Sequence, residues 1–369
     1  MFHRELILNL LVCLLRFANI FFLTSVPLLA QENKTLLQAT PLVGLSSMCI
    51  IFLCLLSGWV RRKLLTLILD IVSITGIFLI LLFCGIPFPH YVNSLASYVV
   101  FATLLGISLS GTEMLGLYMA LANSEKAILR GNLALFNALK VAGYAMGFFF
   151  GTLVGGTGEG LLAANIGIGI LASSIVALAL YTKYRFRADE ALAENIAGES
   201  LSDPLAGGFD AFWPAIRRSW TYCVYIILDV GVFAFWYVYI PYRLHTVAGI
   251  PAGVVGLWLS LQAFVHALCQ FAWKAILSRH GEIIGYWLSL GLHIGIVFII
   301  THVAPQNIFL MTFLFIVMGC VNSGTYIAAG ILFHLTANLH SKVQSAATQQ
   351  IASGAGKFLG TVLVNRVVI

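Results

Sequence analysis

The chain has 369 residues, 60% of them hydrophobic and only 9% charged, against about 25% charged in a soluble globule. That balance excludes a soluble domain, and the net charge of +6 speaks of basic loops beside a membrane rather than of nucleic acid. The chain reads as an all-α integral membrane protein.

Residues 1–30 imitate a secretory signal, with Arg4, an apolar stretch and then Pro27-Leu-Leu-Ala30. The apolar region is too long for one and Arg16 interrupts it, so it reads as a retained helix. Apolar runs long enough to cross a bilayer predict eleven spans, at 6–30, 38–60, 64–86, 91–122, 129–155, 159–182, 219–242, 249–274, 282–304, 307–336 and 343–365. The polar segment 183–218, from Lys183 to Arg218, stands between the sixth and seventh. It divides the chain into an N-terminal six-helix bundle (1–182), a central cytoplasmic loop (183–218) and a C-terminal five-helix bundle (219–369). The seven cysteines lie mostly in apolar runs, as Cys13, Cys54 and Cys84 do, and form no CxxC pair. Packing explains them better than metal or redox chemistry.

Placing the N-terminus in the cytoplasm puts most of the 20 lysines and arginines on that side. They are Arg4, Arg61–Lys63, Lys126, Arg130, Lys183, Arg185, Arg187, Arg217, Arg218, Lys274, Arg279 and Lys342. Only Lys34, Arg243 and Arg366 fall outside, so the positive-inside rule predicts an external C-terminus and insertion in a plasma (inner) membrane. Asn33-Lys-Thr35 fits an external glycosylation sequon, a triplet too common to carry weight.

The fifth span carries Lys140 near its middle, followed by Gly143, Gly147 and Gly151, four apart on one face. Such a face lets another helix approach closely. Lys-x-x-Gly recurs in the eleventh span as Lys357 and Gly360. A charge at mid-membrane is costly and faces a partner or a wet cavity, so one such helix per half suggests a pocket between two related halves.

Basic stretches follow both the second and the eighth span: Ser57-Gly-Trp-Val-Arg-Arg-Lys63 and Lys274-Ala-Ile-Leu-Ser-Arg-His-Gly281. Here the chain resembles the major facilitator superfamily, which has two six-helix halves and a Gly-x-x-x-Asp-Arg-x-Gly-Arg-Arg loop after spans two and eight. Gly58 with Arg61, Arg62 and Lys63, and Leu277 to Gly281, look like degraded copies, with Arg62 and Ser278 where Asp is expected. The resemblance implies two pseudo-symmetric helical bundles with a cavity lined by spans one, four, seven and ten and walled by two, five, eight and eleven. It also implies that a peripheral twelfth span is missing, leaving a flank where a partner helix or a second copy could pack.

Five ionisable residues lie about ten residues into their spans or somewhat deeper: Arg16, Glu113, Lys140, Asp229 and Lys357. Ten residues rise about 15 Å, half of a hydrocarbon core of about 30 Å. The bland reading is a set of structural ion pairs, Arg16 with Glu113 and Lys140 with Asp229. Three cations against two anions, however, leave a positive cavity that attracts an anion. The expected substrate-binding set is Arg16, Asn19, Asn137, Lys140, Gln349, Gln350 and Lys357. Glu113, Asp229 and His266 are the candidates for proton coupling, and His293 reads as structural. Arg61, Arg62, Asp70 and Arg279 are the candidate gate, with Asp70 paired to the 61–63 loop. The aromatic stretch Phe233–Tyr239 lines the cavity or forms an interfacial belt, and the belt is the preferred reading.

These residues predict a proton-coupled secondary transporter of a small organic anion, such as a carboxylate metabolite or a carboxylate-type siderophore, working by alternating access. A drug or metabolite exporter, and a non-transporting scaffold or sensor, are the alternatives. No enzyme chemistry, metal or cofactor is implied. The expected partners are the solute, protons and the bilayer.

Overall fold

A computed structural model describes residues 2–29, 38–57, 61–83, 94–122, 126–156, 161–196, 208–302, 307–336 and 342–368. Among them are eleven long helices: α1 (Phe2–Leu29), α2 (Thr40–Ser57), α3 (Arg61–Phe83), α4 (Leu95–Ala122), α5 (Lys126–Gly156), α6 (Leu161–Ile196), α7 (Gly208–Pro241), α8 (Ala252–His280), α9 (Glu282–His302), α10 (Ile308–Thr336) and α11 (Lys342–Val368). Each corresponds to one expected span. The Asn33 sequon lies outside the described residues, as do the side chains of Arg61 and Arg62.

The helices extend past two of the expected spans. In the segment 183–218 α6 runs on to Ile196 and α7 begins at Gly208, leaving only 197–207 outside the description. Polarity ends a membrane span but not a helix, and Ala, Glu, Arg and Lys are strong helix formers. The basic stretch after the eighth span is likewise helical through His280. There Gly281 adopts φ +88, and its N–H bonds to the Leu277 carbonyl to end α8. Between α7 and α8 a π-turn (Tyr242–Val247) runs into Gly249 at φ +73, and Pro251 opens the next helix.

The helices are apolar outside and polar inside, as a bilayer requires. On α9, Ile284 is 67% exposed and Phe298 63%, while Ser289 and His293 are buried. On α8, Leu257, Phe264, Leu268 and Phe271 face outward and Gln262, His266 and Gln270 face inward. Eight helices are individually long and apolar enough to span a membrane, by length and composition. α11 is not among them. It is enclosed by α2, α4 and α7, so few of its residues need lipid-compatible side chains. The chain is a multi-pass membrane protein.

Two close helix pairs organise the molecule. α1 lies along α5, where a Cβ on Gly143 would come within 2.2 Å of the Cys13 carbonyl oxygen and one on Gly147 within 2.8 Å of that of Phe17. The glycine face predicted from spacing therefore carries the α1 contact. The arrangement recurs later in the chain, where α7 lies along α11 and a Cβ on Gly360 would come within 2.2 Å of the Gly231 oxygen. The N-terminal and C-terminal helices then meet through α5 with α8 and α2 with α11.

Asp70 on α3 pairs with Lys183 on α6; the side chains of the 61–63 stretch lie outside the described residues. Both helices belong to the N-terminal set, so this contact ties that set to itself. It is partly solvated, with the Asp70 side chain 47% exposed. Lys183→Ala is expected to cost less than about 1 kcal/mol. Thermal unfolding in detergent checks this, and a loss as large as that of a buried-charge variant would contradict it.

Candidate functional site

The charged residues sit one helical turn or more from every end, on faces that the glycine seams bring together. Arg16 (α1) and Glu113 (α4) form a two-pronged ion pair, with Nε and Nη2 of Arg16 donating to the two carboxylate oxygens. Two parallel N–H bonds fix both groups in orientation as well as distance. Lys140 (α5) approaches the same carboxylate from the other side, with Nζ 3.7 Å from Glu113 Oε2. The expected pairing of Arg16 with Glu113 is present. The expected pairing of Lys140 with Asp229 is not an ion pair, because Lys140 is drawn to Glu113 instead.

These groups wall two adjoining cavities. The first lies between α1, α5, α7, α10 and α11, and Arg16, Asn19, Lys140, Asp229 and Lys357 all line it. The second is lined by Asn137, Lys140, Asp229, Gln349 and Gln350 among others. Lys140, Asp229, Val230, Tyr326 and Ser353 border both. All seven residues expected to bind substrate thus face one of two neighbouring spaces.

The proton-coupling candidates separate. Asp229 borders both cavities. Glu113 is fully buried and borders neither, lying behind Arg16 and Lys140. His266 is also behind the wall. Its ring lies 5.7 Å from that of Tyr326, whose ring in turn lies 4.9 Å from Lys140 Nζ. His266 instead meets Asn322, with Nδ1 3.4 Å from Nδ2. His293 is buried against Trp236, ring centroids 6.1 Å apart. Of the gate candidates, Arg279 is exposed near the end of α8.

Several buried polar atoms have no hydrogen-bond partner: Lys357 Nζ, Asp229 Oδ1, Asn19 Oδ1 and the Tyr237 hydroxyl, all on residues of the first cavity. A buried polar group left unpaired costs about 1–3 kcal/mol. Four such atoms border one space, where water or a polar ligand can meet them; others, on Gln262, Gln270 and His266, lie away from it.

The aromatic stretch on α7 is not a belt. Phe233 and Tyr237 line the first cavity, and Trp236 and Tyr237 are buried. The ring of Tyr237 lies 4.2 Å from that of Phe148 and 5.9 Å from that of Tyr144, joining α7 to α5 above the charges. Beyond this plug the two helix sets are in contact. Ser260 donates to the Ala145 carbonyl at 2.6 Å, and a Cβ on Gly256 would fall 2.1 Å from Thr152 Oγ1. The plug and these contacts lie toward the end of the bundle opposite the basic residues Lys126 and Lys274. Tyr144, Tyr326 and Ser353 escaped the sequence reading. Tyr144 and Ser353 each lie four positions from a residue that was singled out (Lys140 and Lys357), so helical spacing was the available signal for them.

No family model and no curated protein matches the chain. Solved structures do. A D-xylose–proton symporter superposes with a TM-score of 0.63 at 14% identity, covering 98% of this chain and 89% of that one. A bacterial homologue of the human lysosomal transporter Spinster, inward-facing and unoccupied, gives 0.65 at 12% identity, covering 97% and 80%. FucP, a major facilitator superfamily transporter in the outward conformation, gives 0.62 at 15% identity, covering 98% and 91%. With eleven helices arranged about a central cavity, the chain has the fold of the major facilitator superfamily transporters.

Proposed function

We propose that the chain is a secondary transporter that moves a small organic anion through the bilayer by alternating access, coupled to protons. The observation that carries this reading is the convergence of three buried cations on one cavity: Arg16 on α1, Lys140 on α5 and Lys357 on α11. They come from both helix sets, so a ligand drawn to this cluster bridges the parts that rock against each other. The D-xylose symporter carries the solute in its name; the positive cavity here argues for a carboxylate instead.

Within this reading Glu113 holds Arg16 and Lys140 in place rather than handling the proton. Asp229 is the carboxylate that the cavity reaches, and it is the group assigned to proton exchange. The basic end faces the cytoplasm, as the distribution of lysine and arginine argues. The end closed by Tyr237, Phe148 and the α5–α8 contact then faces outward, so the structure is shut to the outside.

Uptake into proteoliposomes under an imposed pH gradient tests the proposal. A carboxylated solute should accumulate with the wild-type protein, and Lys357→Ala should reduce that accumulation at least tenfold. Undiminished uptake by both Lys140→Ala and Lys357→Ala variants removes the assigned anion site. A protein that moves none of the solutes, yet co-purifies with another membrane protein, is instead a scaffold or sensor.

A further inference from the structure

The first cavity is not simply positive. It presents two unsatisfied poles of opposite sign on neighbouring helices. Lys357 on α11 is 5% exposed and its Nζ has no partner. Asp229 on α7 is 3% exposed; its carboxylate lies within hydrogen-bonding reach of Thr325, but its Oδ1 has no partner and, among the described residues, it takes part in no ion pair. Both residues line the same space, and they are not paired with each other. The remaining charges are already engaged, since Arg16 and Lys140 share Glu113.

A plain carboxylate would answer Lys357 and leave Asp229 without a counter-charge. A dicarboxylate reaching across the cavity would bring a second negative group against Asp229, and like charges at short range in a buried site repel strongly. A ligand with a carboxylate at one end and an ammonium at the other satisfies both poles. Phe233, four positions after Asp229 on α7 and also lining the cavity, favours the same end group, because an ammonium is attracted to an aromatic face. The charge balance adds a further constraint. Arg16, Lys140 and Lys357 against Glu113 and Asp229 leave one positive charge, which an amino dicarboxylate neutralises while still offering an ammonium.

We infer that the transported anion carries an amine, with its carboxylate on Lys357 and its ammonium on Asp229. This rests on the anion-transport reading above and narrows it. Asn19 and the Tyr237 hydroxyl, also unpartnered at the cavity, are available to the ligand's remaining polar atoms. The carboxylate assigned to proton exchange then holds either a proton or the ammonium, so loading the ligand displaces the proton.

The test is thermal stabilisation of the purified protein in detergent by two matched series. One is L-glutamate, N-acetyl-L-glutamate and glutarate. The other is 4-aminobutyrate, 4-acetamidobutyrate and butyrate. The amine-bearing member of at least one series should bind at least tenfold more tightly than its two partners. Asp229→Asn should reduce that preference below threefold, and Lys357→Gln should weaken every member of the series. Both replacements are close to isosteric, and melting without ligand reports whether they fold. Equal or tighter binding of the amine-free acids by the wild-type protein overturns the ammonium pole and leaves the anion site standing. Stabilisation by no member of either series counts against both.

Discussion

Glu113→Ala is expected to destabilise the protein by about 3–5 kcal/mol, read as a large fall in melting temperature in detergent. The side chain is fully buried and accepts both bonds from Arg16, with Lys140 also at 3.7 Å. Removing it leaves two cations facing each other in a low-dielectric interior with nothing between them. Desolvation of a charge that has lost its partner is the cost, and it exceeds the net worth of the pair itself. The same argument predicts a compensation. Arg16→Met combined with Glu113→Ala removes one of the stranded cations together with the acid, so the double variant should be more stable than Glu113→Ala alone. A double variant whose loss equals the sum of the two single losses would show that the pair is not coupled, and the geometry described for it would be wrong.

Gly143→Leu is expected to disrupt the α1–α5 seam, and Gly143→Ala to cost about 1–3 kcal/mol. A Cβ at this position meets the Cys13 carbonyl oxygen at 2.2 Å and the Phe17 nitrogen at 3.1 Å. Both obstacles are backbone atoms of a helix, so no side-chain rotation relieves the clash and α1 must move away. Arg16 rides on that helix between the two contacts, and Lys140 is one turn before the glycine on the other. The substitution should therefore lower solute uptake further than the stability loss alone explains. Gly295→Ala on α9 is the matched control. Its Cβ would meet nothing within 4 Å, and alanine in place of a mid-helix glycine gains about 0.5–1 kcal/mol. If Gly143→Ala and Gly295→Ala behave alike, close approach of α1 and α5 is not what the glycines supply.

Much of this architecture was legible before any coordinates. Hydrophobic runs placed all eleven helices, because a chain crossing lipid has few ways to satisfy its backbone and the apolar length is set by the bilayer. The same physics exposed the site residues. A lysine or arginine amid twenty apolar residues stands out, and Arg16, Lys140, Asp229 and Lys357 all face one cavity. The seam glycines were visible from their four-residue spacing. The helix ends near 183–218 were not, since the pattern that marks the edge of a membrane is hydropathy, whereas helicity continues through polar residues with good propensity.

Pairing was beyond the sequence. Nothing in the order of residues says that Glu113 takes both Arg16 and Lys140, which leaves Asp229 and Lys357 without ion-pair partners. That outcome depends on side-chain reach across five different helices, and separations of a few ångströms decide it. The same holds for Phe233 and Tyr237. An aromatic run reads as an interfacial belt by composition, but its burial against Tyr144 and Phe148 follows from where α7 crosses α5. Composition and period determined that this chain is a bundle of membrane helices with charges at their midpoints. The packing of those helices decided which charges neutralise one another and which remain open, because electrostatic partnership depends on distance and orientation rather than on position along the chain.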